Sequence, residues 1–164
     1  AANQSIRREV SKGSFEEVNI REVIASIQEA GINVGANFIF GFPDDTNESM
    51  QQTLNLALEL CTEFANFYPC QALPGSPLYY TAKQNDWNLP DSYGGYAFLS
   101  YDSQPLPTRH LSAAEVLKFR DDAWHTYFSH GPYLELVERK FGSQQRKNIE
   151  DMAKIRLKRQ LLGD

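Results

Sequence analysis

Asn33-Val34-Gly35-Ala36-Asn37-Phe38-Ile39-Phe40-Gly41-Phe42-Pro43-Asp44-Asp45-Thr46 carries the argument about fold. Its first eight residues read as a strand. Val34, Ala36, Phe38 and Phe40 take one face and Gly35, Asn37 and Ile39 the other, both mostly apolar, as in a parallel strand covered on both sides. The turn Gly41 to Asp45 leads into a helix capped by Thr46 or Asn47, with Met50, Leu54, Ala57, Leu58 and Cys61 as its apolar stripe. A second strand, Phe64 to Pro69, follows directly. Upstream, Ile20, Val23, Ile24 and Ile27 define a helix from Asn19 to Ala30, opened by an Asn19–Glu22 capping box and ended by Gly31. Helix, strand, helix, strand with short connections requires crossovers, and so an α/β sheet or barrel.

Beyond the second strand the pattern changes. Ser76-Pro77 starts a short helix to about Gln84, with proline at the first helical position. Asp86 to His110 holds Trp87, Tyr93, Tyr96, Phe98 and Tyr101 among prolines and glycines, which predicts a flap packed over the sheet. Three helices complete the chain. One is opened by a Ser112–Glu115 capping box and runs to about His130. A second ends at Phe141-Gly142, and the last starts at Ser143 with Ile149, Met152, Ile155 and Leu162 directed inward. Three zones result: β/α units over 1–85, a connecting flap over 86–110 and a helical subdomain over 111–164.

The chain has 164 residues, 41% hydrophobic and 23% charged, with a net charge of −5. That composition reads as soluble and globular, and the dispersed acidic balance excludes a general nucleic-acid binder. No apolar run is long enough to cross a bilayer and no signal peptide is expected, so the chain reads as cytoplasmic. Two cysteines, Cys61 and Cys70, fit a reducing compartment and match no metal spacing. Cys61 reads as core, and Cys70 follows a strand where it could line a pocket. The basic cluster Lys154, Arg156, Lys158 and Arg159 reads as a solvated helix face. His110, His125 and His130 lack carboxylates at ligand spacing, and Asp44-Asp45 already serve a helix start, so no metal or catalytic residue is assigned.

Ligands in α/β sheets bind at the carboxyl ends of strands. Two glycine- and proline-rich segments fall there, Ile39 to Asp45 and Cys70 to Pro77. Loop punctuation is the bland account of either one. Together, Asn33 to Thr46 resembles the fifth-strand motif of radical S-adenosylmethionine (SAM) enzymes, with Asn37 and Asp in place of the motif's first glycine and its glutamate. Phe64 to Tyr79 resembles that family's sixth strand and following loop. Ala1 to Gly13 resembles the stretch after its fourth strand.

The resemblance implies an α/β fold: the C-terminal portion of a partial (β/α) TIM-type barrel of parallel strands, then an α-helical cap. It implies SAM as ligand and a [4Fe-4S] cluster whose cysteines lie outside this chain. The implied chemistry is reductive SAM cleavage to a 5′-deoxyadenosyl radical in an oxidoreductase or methyltransferase, with this chain alone inactive. By the same resemblance Asn37, Ile39 and Gly41 approach the adenine, as do Cys70, Gln71 and Ala72. Gln4 and Ser5 lie just past the ribose- and carboxylate-binding position. The flap and tail, around Tyr101 to Pro107, are similar to the ends of cobalamin-binding members, which extends the expectation to cobalamin in the parent protein. The implied partners are an unidentified small-molecule substrate and the remaining N-terminal part of the same protein, with no nucleic acid and no membrane span. An unpaired strand edge further predicts self-association of the isolated chain. The rival reading is a non-catalytic α/β module that binds a partner through its aromatic flap.

Overall fold

A computed structural model describes residues 2, 3, 6 and 18–164. Its described elements run, in chain order, α1 (Ile20–Glu29), β1 (Gly35–Phe40), α2 (Asn47–Leu60), β2 (Phe64–Pro69), α3 (Pro77–Gln84), α4 (Ala113–Phe128), α5 (Gly131–Phe141) and α6 (Ser143–Ala153), with short 3-10 turns at Tyr93–Tyr96 and Gln160–Leu162. Local chemistry explains most boundaries. Asn19 accepts the Glu22 amide at the start of α1. Thr46 and Ser49 exchange side-chain bonds with each other's backbone amides at the start of α2, and Ser112 and Glu115 do so at α4. The amides so satisfied are those with no partner inside the helix.

β1 and β2 are parallel and paired from Gly35↔Phe64 to Phe40↔Pro69, with α2 as the crossover. The expected partial barrel is not seen: among the described residues the sheet has these two strands, giving a small α/β unit with six helices. The expectation that both faces of β1 are covered also fails. Phe38 and Phe40 are buried, whereas Gly35 and Asn37 are exposed and Ile39 is half-buried. Helices α2 and α4 cover one face; the other is reached by the flap at Tyr68 and by Phe141 of α5, which packs against Phe64 at the opposite end.

The covered face is an aromatic core. Phe67 stacks on Phe38 and Phe40 at centroid distances of 5.4 and 5.9 Å, and Tyr127, Phe128 and Tyr133 close around it from α4 and α5. Burying side chains of this size is the main favourable term holding helices to sheet. Tyr127 also donates its hydroxyl to the Thr62 carbonyl at 2.7 Å, so its polar end is satisfied inside the core.

Three readings need correction, two of them in the tail. Met152, Ile155 and Leu162 are exposed rather than inward; α6 ends at Ala153, so the helical period does not extend to Ile155 or Leu162. The basic run beyond it is not a helix face, and its Arg159 is fully buried. Cys61 is the left-handed C-cap of α2, half-buried at the edge of the core.

Candidate functional site

The Phe64 amide donates to the Val34 carbonyl and the Cys70 amide donates to the Phe40 carbonyl at 2.7 Å, so the pairing extends one step beyond each end of the ladder. Gly41 and Cys70 therefore leave the sheet side by side at its carboxyl end. The two corners singled out in the sequence share one end, which is the placement a common ligand wall requires.

Each corner is held from behind. Asp45, 1% exposed, accepts the Gly41 and Phe42 amides at 3.0 and 2.9 Å and the Ser49 hydroxyl at 2.6 Å. One carboxylate thus fixes the turn and ties it to the first turn of α2. Gly41 has φ +84°, and a Cβ there would lie 2.4 Å from Cγ1 of Val116 on α4. The close approach that demands glycine is made by the chain's own helix. On the other corner, the Cys70 carbonyl accepts the Leu106 amide at 3.1 Å, and Ala72 packs with Ala82 and Leu106. Cys70 is buried, and burial, followed by the charge of Asp45, pushes its thiol up to about 12. It does not line an open pocket, and a thiol held protonated is a poor nucleophile.

The candidates thus separate. Gly41, Cys70 and Ala72 are buried supports, whereas Asn37, Ile39 and Gln71 present surface. Asn37 accepts a hydrogen bond from the Asn66 side chain at 3.0 Å on the exposed face. Gln71 donates its amide to the Gly95 carbonyl at 3.3 Å. Gln4 and Ser5 lie outside the described residues.

The aromatic segment Asp86 to His110 reads in the sequence as a flap packed over the sheet. In the structure Phe98 packs edge-on against Tyr68, 4.8 Å between centroids, on the same face as Asn37 and Ile39. The Arg109 amide donates to the Pro43 carbonyl, and its guanidinium pairs with Asp44 at 2.6 Å. The exposed face toward the carboxyl end of the sheet thus forms a strip: Asn37, Asn66 and Ile39 on the sheet, Tyr68 and Phe98 as an apolar wall, Gln71 at the rim. Sequence reasoning missed Asn66, Tyr68 and Phe98 as site residues. The period-two pattern of Phe64–Pro69, paired with that of β1, could have found the first two. Two cavities, of about 570 and 610 Å³, lie between β2 and α5–α6, where Asn66 reaches the lining of the first, and beneath α1 and α5. Among the described residues no group of three or more His, Cys, Asp or Glu is arranged to hold a metal ion, and no helix is long and apolar enough to cross a membrane.

Over 95 residues, 56% of this chain and 21% of the relative, the sequence is 30% identical to a bacteriochlorophyllide d C-12(1)-methyltransferase of Chlorobaculum tepidum. Over 128 residues, 78% of this chain and 27% of the relative, it is 23% identical to an uncharacterized methyltransferase of Pyrococcus horikoshii. Both relatives are named as methyltransferases. The chain spans about a fifth to a quarter of their length, and no family model matches it.

These findings correct the functional expectation. The relatives' names speak of methyl transfer and carry nothing of radical SAM cleavage, an iron–sulfur cluster or cobalamin, and no family model supports the radical SAM resemblance. The radical SAM assignment is therefore replaced by likeness to methyltransferases. The rival partner-binding module finds no support either, since both relatives are named as enzymes.

Proposed function

We propose that this chain is part of a SAM-dependent methyltransferase and that the strip at the carboxyl end of β1 and β2 receives the adenosine part of the methyl donor. The observation that carries the reading is the juxtaposition of the Gly41 and Cys70–Gln71 corners at one end of a parallel sheet. The likeness to proteins named as methyltransferases supports the donor class.

The residues suit a purine nucleoside. Asn37 and Asn66 offer amide donors and acceptors that can pair with a base edge, at the cost of the single bond they now make to each other. Ile39, Tyr68 and Phe98 provide flat apolar surface for a ring. Gln71 can turn its amide from Gly95 toward a ribose hydroxyl. SAM supplies an activated methyl on a sulfonium, which passes to a nucleophile and leaves S-adenosylhomocysteine. In this reading the chain's own residues bind and orient the nucleoside, and the methyl acceptor is a small molecule of unassigned identity.

The test is calorimetric titration of the intact protein with S-adenosylhomocysteine. Asn37→Leu and Gln71→Leu should each weaken binding by about tenfold, the loss of one or two ligand hydrogen bonds. Both positions are at least partly exposed, so the variants should fold. Unchanged affinity in both would remove this strip as the nucleoside site.

A further inference from the structure

Phe98 in the wall of the strip belongs to the flap, and the flap is tied down by the C-terminal tail and α4. Arg159 is completely buried. Its Nε and Nη2 donate to the two oxygens of Asp121 on α4, each at 2.8 Å, and its Nη1 donates to the Ser100 carbonyl at 2.7 Å. The geometry to Asp121 is a two-bond fork, the strongest arrangement open to an arginine and a carboxylate. Arg120, 3% exposed, also donates to Asp121, at 2.8 Å, gives its Nε to the Phe67 carbonyl at 2.7 Å and sits over the Phe98 ring, Cζ 5.4 Å from the centroid.

The tail is stitched to the flap at further points. The Gln160 amide donates to the Tyr101 carbonyl at 3.0 Å, and the Tyr101 hydroxyl donates to the Asp164 carbonyl at 2.8 Å. From Ser100 the chain of contacts continues to the strip. The Ser100 hydroxyl donates to the Gly94 carbonyl at 2.6 Å, and the Gly95 carbonyl accepts both the Gln104 amide and the Gln71 side chain. Removing one partner from such a buried set strands the others without compensation, so the contacts stand or fall together.

We infer that Arg159 and Asp121 are positioning residues for the site: the tail and α4 clamp the flap at Ser100, and the clamped flap holds Phe98 against Tyr68 and Gln71 at the rim. The inference rests on the nucleoside reading for its functional half. Neither residue lines the strip, and both act through the flap. A solvated basic face, the simplest reading of Lys154 to Arg159, would leave Arg159 dispensable; the buried fork does not.

The experiment is amide hydrogen exchange on the chain, wild type against Asp121→Asn and Arg159→Met. Asp121→Asn keeps the side-chain shape and removes the charge, so it serves if Arg159→Met does not fold. The expected result is exchange about tenfold faster at Gly95, Ala97, Ser100 and Gln104, whose amides are bonded within the flap, with less than about a twofold change at Phe64 and Cys70, whose amides are bonded to the Val34 and Phe40 carbonyls at the two ends of the sheet. Unchanged flap exchange overturns the clamp. A uniform rise across sheet and flap overturns it too, because the cluster would then serve only the stability of the whole fold. Titration of the intact protein with S-adenosylhomocysteine completes the test. Affinity that falls at least about fivefold in the loosened variants supports positioning. Affinity equal to wild type with a loosened flap overturns it. If the wild type takes up no S-adenosylhomocysteine, the nucleoside reading falls and the positioning role falls with it, while the exchange result still decides whether the flap is clamped.

Discussion

Gly41 illustrates how a glycine that resembles a ligand contact can be needed for another reason. Its left-handed φ and the 2.4 Å approach of Val116 mean that any side chain there is resisted by the protein itself. Gly41→Ala should destabilise the chain by about 2–4 kcal/mol, the sum of left-handed strain and overpacking. Urea unfolding measures this, and adding Val116→Ala should recover part of the loss by removing the clashing methyls. If Gly41→Ala unfolds at the wild-type urea concentration, the packing account of this glycine is wrong. It follows that loss of ligand binding on enlarging Gly41 would not identify a ligand contact, whereas Asn37 and Gln71 offer the cleaner probes.

Helix α4 does the most to order the fold. It packs on β1 and β2, and it supplies Val116 behind Gly41, Arg120 at the β2 edge, Asp121 under the flap and Tyr127 in the core. The outward backbone of β2 is blunted by two devices. Arg120 occupies the Phe67 carbonyl, and Pro69 has no amide to offer, which together discourage edge pairing on that side. Tyr127→Phe should cost about 1–2 kcal/mol, because the buried Thr62 carbonyl loses the hydroxyl bonded to it at 2.7 Å. Thermal and urea unfolding should agree on that loss, and a neutral substitution would mean that the carbonyl finds another partner.

Two carboxylates, the buried Glu63 and the half-buried Asp121, contribute to how the molecule answers acid. For Asp121, burial pushes the carboxyl up, but the bonds from Arg159 and Arg120 outweigh it and hold it below the ordinary range. For Glu63, burial again acts upward and is outweighed by Lys140, the Val34 amide and Gln28. A carboxyl held below its unfolded value contributes stability that is present above that value and lost as pH falls through the folded one. Melting temperature should therefore stay nearly level from pH 7 to about 5 and fall below about pH 4, where unfolded carboxylates begin to take up protons. Asp121→Asn should flatten part of that acid slope while lowering stability at pH 7. An unchanged slope would show that the Arg159–Asp121 fork contributes little.

Elements with strong local signals were legible from the chain alone. Phe64–Pro69 and Pro77–Gln84 could be bounded because alternation, a proline start and a serine cap are written within a few residues. The parallel order of two strands followed from their spacing, and with it the shared end of the two corners. Burial beyond the local period was not legible. Arg159 reads as one more exposed cation until α4 brings Asp121 beneath it, 38 residues away in sequence. Likewise Gly41, Cys70 and Ala72 read as pocket-lining until Val116 and Leu106 are seen to occupy the space behind them. Local patterns record what a residue needs from its neighbours in the chain. Which side chains share a volume is set by the packing of distant segments, and that packing separates the buried supports of this strip from the three residues that present surface.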